Sequence, residues 1–291
     1  MTYSTINLPI SEARCDWITC TAKHDERGVE LLHFAIGWLE GEAKLGYKQT
    51  PYHLHGYQGF QTKHIRYGWG EHGALVVLSG DAAAEYCYSV AVLADHWSRV
   101  DYCVTVRDEA GEINPVQHYR DEVKRHATKP KGWPEMGRYE EMWGGDTFYI
   151  GRRISPYYLR VYNKTAESDG DYPPGSWRWE VEMKRHASEA AQARARQSGI
   201  NASYIGAFLA NELNRLGLTV PWSPEISVKR DPQIKHRPDA DRKVKWMETS
   251  LRPSVDFVTE ALGVDRVLTA LNLPHIRYAD PVGLEAANRT L

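Results

Sequence analysis

The sequence predicts an α+β fold, in which a strand-rich region up to about residue 185 precedes a helical region. In the first region, short segments rich in β-branched and aromatic residues alternate with turns marked by glycine and proline. In the second, the residue pattern is helical over 187–197, 201–216, 239–249 and 254–271. This segregation of strands and helices is typical of the α+β class. We expect a sheet domain over 1–186 and a helical part over 187–291 packed on it, as two domains or as one.

The first part of the strand-rich region mixes both kinds of element. Strands are predicted at 16–21, 52–61, 65–69 and 74–78, from their β-branched and aromatic content. Two helices are predicted at 25–40, where apolar residues recur every three or four positions, and at 82–96. Asp81 is the expected N-cap of the second helix.

Three later strands each have one apolar face and one charged face. They are predicted over 99–106, 159–164 and 177–184, where period-2 alternation separates the side chains. Their charged faces carry Arg99, Asp101, Cys103 and Thr105; Tyr158, Arg160, Tyr162 and Lys164; and Arg178, Glu180, Glu182 and Lys184. If these strands are neighbours, Asp101, Glu180 and Glu182 form a set of oxygen ligands suited to Mg²⁺ or Mn²⁺.

Tyr162 lies between Arg160 and Lys164 on its charged face. Adjacent cations favour the phenolate and can hold phosphate oxygens, so the pattern suits a tyrosine that attacks a phosphodiester. The alternative is an amphipathic strand with a solvated face, because charges at two-residue spacing commonly form only cross-strand ion pairs.

Composition favours a soluble globular protein in which any nucleic-acid site is a local patch. The chain of 291 residues is 42% hydrophobic and 25% charged, with a formal net charge of −2. Its 10 Trp and 17 Tyr can serve as core or as platforms for unpaired bases. The 4 cysteines lack C-x-x-C spacing, and neither a signal peptide nor a membrane span is indicated, so we expect a cytoplasmic protein that does not bind membranes.

Other known site motifs are weak or missing. His53 and His55 flank Leu54 in a His-hydrophobic-His run, a metal-binding arrangement of many DNA-nicking enzymes, but a chance pair is expected among 12 histidines. A Walker-type loop, a G-x-S-x-G sequence and zinc-ligand spacing do not occur. The ATPase, esterase and zinc-finger classes are therefore unsupported.

Six segments together resemble the rolling-circle replication initiators of small plasmids and filamentous phages, of the trans-acting Rep type. They are Asp16–Thr19, Leu78–Gly80, Arg99–Asp101, Tyr149–Arg152, Arg160–Lys164 and Arg178–Lys184, in the family's order and at similar spacing. The resemblance covers roughly residues 14–186. It implies a sheet with an open catalytic face related to the His-hydrophobic-His nickases, although without their His pair.

The resemblance also implies an activity, a site and partners. Tyr162 would nick one origin strand and stay joined to the 5′ phosphate, leaving a 3′ hydroxyl. Arg160 and Lys164 would assist it, and Asp101 with Glu180 or Glu182 would bind Mg²⁺ or Mn²⁺. DNA contacts are expected from Arg152, Arg153, Arg178 and Lys184. The expected partners are single-stranded or hairpin origin DNA, a host helicase and a second copy of the chain.

One departure from the family pattern leaves alternatives open. Many members carry a second acid four residues after the first, where this chain has Thr105. The number and identity of the metal ligands therefore stay open. A conjugative relaxase of the related branch is one alternative, disfavoured by the short segment before the first strand. A non-catalytic origin-binding or regulatory protein that kept the sheet is the other.

Overall fold

The computed structural model describes residues 6–54, 56–125, 136–142, 145–228, 260 and 266. The chain forms two compact units, Met1–Gln233 and Ile234–Leu291. The elements described below belong to the first unit. Apart from residues 260 and 266, the helices predicted over 239–249 and 254–271 lie outside the described residues.

One antiparallel sheet organises the first unit. In chain order, its strands within the described residues are β1 (Ile10–Ala22), β2 (Thr50–Leu54), β3 (Tyr57–Gln61), β4 (Ile65–Gly70), β5 (Gly73–Ser79), β6 (His96–Arg107), β7 (Met136–Met142), β8 (Gly145–Ile150), β9 (Tyr157–Asn163) and β10 (Ser176–Lys184). Their order across the sheet is β2-β3-β4-β5-β1-β6-β10-β9-β8-β7. The long strands β1, β6 and β10 lie near the centre.

The helices bury the apolar face of this sheet. These helices are α1 (Glu26–Lys44), α2 (Gly80–Leu93), α3 (Pro115–Arg125), α5 (His186–Ser198) and α6 (Ala202–Arg215). The four-residue helix α4 (Lys164–Glu167) has no buried residue and lies at the polar face instead. The core lies between the helices and inward side chains such as Val104, Trp179 and Val181, which are fully buried. Tyr102 on β6 packs edge-on against Phe208 on α6. The α+β class is confirmed, with a large antiparallel sheet and helices on its apolar face.

Several predicted elements differ in extent from the observed ones. The strand expected over 52–61 is the hairpin β2–β3, because Gly56 turns the chain at φ +85°. The predicted first strand begins earlier, at Ile10, because β1 pairs with β6 along most of its length. Ser79, not Asp81, is the N-cap of α2, and the Asp81 carboxylate instead pairs with Arg14.

Among the described residues, no helix has both the length and the apolar character needed to span a membrane.

Candidate active site on the polar face of the sheet

The three charged strands are neighbours in the order β6-β10-β9, which meets the condition set for the predicted ligand cluster. Glu182 on β10 lies opposite Asp101 on β6. On the other side of β10, Glu180 lies opposite Arg160 and Arg178 lies opposite Tyr162. Because directly paired residues of an antiparallel sheet point to the same face, these side chains form one polar layer.

A cleft of about 430 Å³ opens on this polar layer. Residues from five strands and from the β8–β9 turn line it, among them Asp16, Asp101, Tyr149, Arg153, Tyr162 and Glu180. The cleft therefore brings the predicted nucleophile together with four carboxylates, those of Asp16, Asp101, Glu180 and, from helix α4, Glu167.

Tyr162 is a protonated, buried phenol in this arrangement. It is 8% exposed, and its hydroxyl donates a hydrogen bond to Glu180 Oε2 at 3.0 Å. Burial and the charge of Glu180 raise the pKa of Tyr162 well above its usual value, against the opposing effect of Arg178 and Arg160. The expected lowering of the Tyr162 pKa by its neighbours is therefore wrong for this state, because desolvation outweighs the cations.

The two acids beside Tyr162 differ in their protonation. Burial alone would raise the pKa of Glu180, but the Arg160 guanidinium and the Tyr162 hydroxyl hold it below the usual value. For Asp101, burial and the charge of Glu180 raise the pKa to about 7, although Arg99 opposes the shift. Glu180 is thus the ionised acceptor that the Tyr162 proton faces.

Arg160 lies between these two carboxylates. Its Nη2 atom forms an ion pair with Glu180 Oε1 and is 3.9 Å from Asp101 Oδ2. Arg99 holds Asp101 from the other side, with Nε donating to Oδ1 at 2.9 Å. The positive charge that keeps the acids close together therefore comes from the protein's own guanidinium groups.

The predicted metal ligands supply suitable atoms but are not gathered around a common point. Carboxylate oxygens suit Mg²⁺ and Mn²⁺. However, no group of three or more His, Cys, Asp or Glu side chains among the described residues has an arrangement that could hold a metal ion. Glu182 is 1% exposed and pairs with Arg99 at 2.9 Å and with Lys184. The donor atoms are thus of the kind that a divalent cation prefers, but the space between Asp101 and Glu180 holds the Arg160 guanidinium.

Asp16 is a site residue that the strand pattern missed. A β-bulge between Cys15 and Trp17 interrupts the alternation of β1, and Asp16 at this bulge lines the cleft. Its Oδ1 atom is 3.0 Å from Arg14 Nη2. The Asp-Trp pair was visible in the sequence, but a bulge cannot be read from two-residue periodicity.

Arg178 is buried inside the polar layer, an arrangement that does not favour the DNA contact predicted for it. Its side chain is 1% exposed and pairs with Glu12 and, at 3.5 Å, with Asp16 Oδ2. Its Nε atom donates to Thr105 Oγ1 at 2.9 Å. Thr105, which replaces the second acid of many family members, therefore serves as an acceptor for Arg178.

Lys164 is the first residue of α4 rather than a strand residue. Its Nζ atom is 2.6 Å from Glu167 and lies 5.0 Å from the centre of the Tyr172 ring. The Tyr172 hydroxyl also accepts a hydrogen bond from Arg178 Nη2 at 2.8 Å. Tyr172 comes from the loop before β10, and nothing in the sequence pattern indicated that it would reach the site.

The other predicted DNA-binding residues lie at the β8–β9 turn. Arg152 and Arg153 are exposed, and Arg153 lines the cleft. Lys184 Nζ donates to the Arg153 carbonyl at 2.9 Å. His53 is exposed on β2, the edge strand on the side of the sheet away from β9. His55 lies outside the described residues. His53 therefore does not belong to the cleft.

Comparison with known proteins identifies a family and a similar fold. Residues 116–271 match the family model described as "Replication initiation factor". The solved structure of a rolling circle replication initiator protein from Geobacillus stearothermophilus is similar in fold, with a TM-score of 0.54 and 17% sequence identity. The similarity covers 69% of this chain and 84% of that one. No curated protein matches the chain.

Proposed function

Because the chain belongs to the replication initiation factor family, we propose that it initiates rolling-circle replication by cutting one strand of origin DNA with Tyr162. The hydrogen bond from the Tyr162 hydroxyl to the ionised Glu180 carboxylate, within the cleft, is the observation that carries this proposal. A hydroxyl that is hydrogen-bonded to a proton acceptor is the usual arrangement of an activated nucleophile, which supports this role for Tyr162.

In the proposed reaction, the Tyr162 oxygen attacks the scissile phosphorus while Glu180 Oε2 accepts the phenolic proton. The bond between phosphorus and the 3′ oxygen breaks, and the leaving oxygen takes up a proton. The 5′ phosphate stays on Tyr162, and the 3′ hydroxyl is free to prime synthesis. Rejoining is the same transfer in reverse. A positioned base of this kind contributes typically 10²- to 10⁴-fold to a rate.

The cations of the cleft are proposed to change partners when DNA binds. Arg160 and Lys164 pair with Glu180 and Glu167, and each would instead hold an oxygen of the scissile phosphate. Planar guanidinium groups are well suited to this role. Glu182, which faces Arg99 and Lys184, is proposed to position these two cations.

A divalent cation is the proposed cofactor, because Asp16, Asp101 and Glu180 supply carboxylate oxygens to the cleft, although in this state no three acids among the described residues are gathered around one point. When bound, Mg²⁺ or Mn²⁺ would offset negative charge on the scissile phosphate. Asp16 thus replaces Glu182 in the ligand set expected from the sequence. A host helicase and a second copy of the chain stay predictions.

The proposal is tested with a randomised single-stranded oligonucleotide that carries a 3′ label, incubated with the full chain and Mn²⁺. We expect the label to become attached to the protein in a denaturing gel, because the 3′ fragment carries the 5′ phosphate that joins Tyr162. Tyr162→Phe should lose this adduct. Tyr88→Phe, which removes the hydroxyl of an exposed tyrosine on α2 outside the cleft, is the control and should keep it.

Two results would contradict the proposal. An adduct that persists in Tyr162→Phe would mean that another group is the nucleophile. Retarded migration of DNA without any adduct, under either cation, would favour the non-catalytic DNA-binding protein.

A further inference from the structure

Two tyrosine rings are stacked on the polar face next to the proposed nucleophile. Tyr149 on β8 and Tyr158 on β9 have ring centroids 5.6 Å apart and ring planes inclined by 12°. Both side chains are half-buried, so part of each remains in contact with solvent. Flat aromatic surfaces of this kind, beside a polyanion site, are suited to stacking with nucleobases.

The stacked pair is continuous with the proposed site of cleavage. Tyr149 lies opposite Arg160 in the β8–β9 register and lines the same cleft as Tyr162. Tyr158 lies opposite Glu182 in the β9–β10 register. A nucleotide next to a phosphate held at Tyr162 therefore reaches Tyr149, the member of the pair that lines the cleft, without leaving it.

The β8–β9 turn carries Arg153, a cation that lines the same cleft as Tyr149. Gly151, at φ +89°, lets the chain turn after β8. The end of the turn is bound to the end of β10, where the Lys184 backbone N–H donates to the Pro156 carbonyl at 2.9 Å. Lys184 Nζ holds the Arg153 carbonyl, also at 2.9 Å. The turn is thus anchored by its backbone at two points, and the Arg153 side chain lines the cleft.

Arg153 differs from the other cations of the cleft. Arg99, Arg160 and Lys164 are each paired with an acid. No acid among the described residues lies within ion-pair distance of the Arg153 guanidinium. This side chain can therefore bind a phosphate without first giving up a partner.

We propose that Tyr149, Tyr158 and Arg153 form a subsite for one unpaired nucleotide adjacent to the scissile phosphate. The base stacks on the tyrosine pair, and Arg153 binds a phosphate oxygen of the same strand. The subsite selects single-stranded DNA, because the faces of a base are covered by its neighbours in a duplex. This assignment rests on the proposed function, since it takes Tyr162 as the point of cleavage.

Binding is measured by the anisotropy of a fluorescein-labelled oligothymidine in EDTA, so that it does not depend on cleavage. Tyr149→Leu should weaken binding about tenfold, within the range known for the loss of one base stack. Tyr149→Phe, which keeps the ring, should bind like the wild type. Tyr88→Leu is the matched control, because Tyr88 is a 59% exposed tyrosine on α2, away from the polar face.

Arg153→Gln tests the phosphate contact separately. The slope of log affinity against log salt concentration should fall by about 0.7, the value for one phosphate contact on a single strand. Tyr149→Leu should weaken binding without changing this slope. Neither substitution should alter the binding of a blunt duplex of the same length, and unchanged circular dichroism melting curves would show that both variants fold.

The subsite proposal is refuted if the wild-type protein does not bind the oligothymidine, or if folded Tyr149→Leu binds it like the wild type. It is also refuted if the two substitutions weaken the binding of single-stranded and duplex DNA equally. These outcomes differ from a failure of the proposed function. If the wild type binds through Tyr149 and Arg153 but forms no adduct with Mn²⁺, the nicking reaction is refuted and the nucleotide subsite is supported.

Discussion

Arg178→Met separates a structural role of this residue from a DNA-contacting one. The Arg178 guanidinium pairs with Glu12 and Asp16 and bonds to Thr105 and to the Tyr172 hydroxyl. Methionine has a similar length but no charge, so the substitution leaves two carboxylates without this partner. We expect it to lower the stability of the fold, with no specific effect on the salt dependence of DNA binding.

The size of this effect follows from the burial of the partners. Removing one member of a buried ion pair costs about 3–5 kcal/mol. The side chains of Glu12 and Asp16 are 22% and 21% exposed, and both also contact Arg14, so we take the lower end of this range. A loss of about 3 kcal/mol corresponds to a decrease in Tm of roughly 6–12 °C for a unit of this size.

The assay is thermal unfolding followed by circular dichroism, with Arg107→Met as the control. Arg107 pairs with Glu109 at 3.1 Å, but the two side chains are 45% and 72% exposed, so its removal should cost below about 1 kcal/mol. If Arg178→Met left Tm unchanged and reduced the salt slope of DNA binding, the guanidinium would be available to DNA. The structural role assigned to it would then be refuted.

Three further predictions concern a helix and the polar layer. Gly28→Ala should destabilise the fold, because the added Cβ would lie 1.9 Å from the Lys23 carbonyl oxygen. Gly37→Ala has open space around it and should stabilise α1 by about 0.5–1 kcal/mol. If the two substitutions shifted the melting temperature Tm in the same direction, this reasoning would be contradicted. The folded-state pKa of Asp101, about 7 against an ordinary 3.8, means that its contribution to stability is complete below about pH 4 and is lost as pH rises to 7. Denaturant titrations in EDTA should therefore show wild type losing stability relative to Asp101→Asn between pH 5 and pH 8, and a constant difference would refute the shift. In Arg160→Met, Mn²⁺ should raise Tm more than in wild type, because the competing internal cation is gone, and an equal or smaller rise would count against this competition.

Local patterns were sufficient to predict the polar layer of the site. Alternation along 99–106, 159–164 and 177–184 assigned the charged residues of β6, β9 and β10 to one face, because successive side chains of a strand point in opposite directions, but it wrongly extended the second strand to Lys164. That the three segments are neighbours was only a condition of the sequence argument, and the register of β6, β10 and β9 shows that it is met.

The contacts that decide each residue's role could not be predicted, because they depend on register, bulges and loops. Asp16 reaches the cleft through a β-bulge, and Tyr172 reaches Arg178 from a loop. Charged neighbours of Tyr162 were expected to lower its pKa, but the degree of burial, which depends on the whole layer, reverses the sign. Burial also turned Arg178 from an expected DNA contact into an internal counter-ion.

The pairing of acids and arginines in the polar layer has a consequence for the order of binding. Asp101 and Glu180 are nearly inaccessible to solvent, and Arg160 contacts Glu180 while lying near Asp101. A buried carboxylate that loses its partner costs several kcal/mol. Arg160 can therefore turn to a DNA phosphate at low cost only if another cation takes its place beside these acids. If a divalent cation takes that place, it releases Arg160 from the acids, and the phosphate of the scissile strand then pairs with the released guanidinium. The cation and the strand would therefore bind cooperatively.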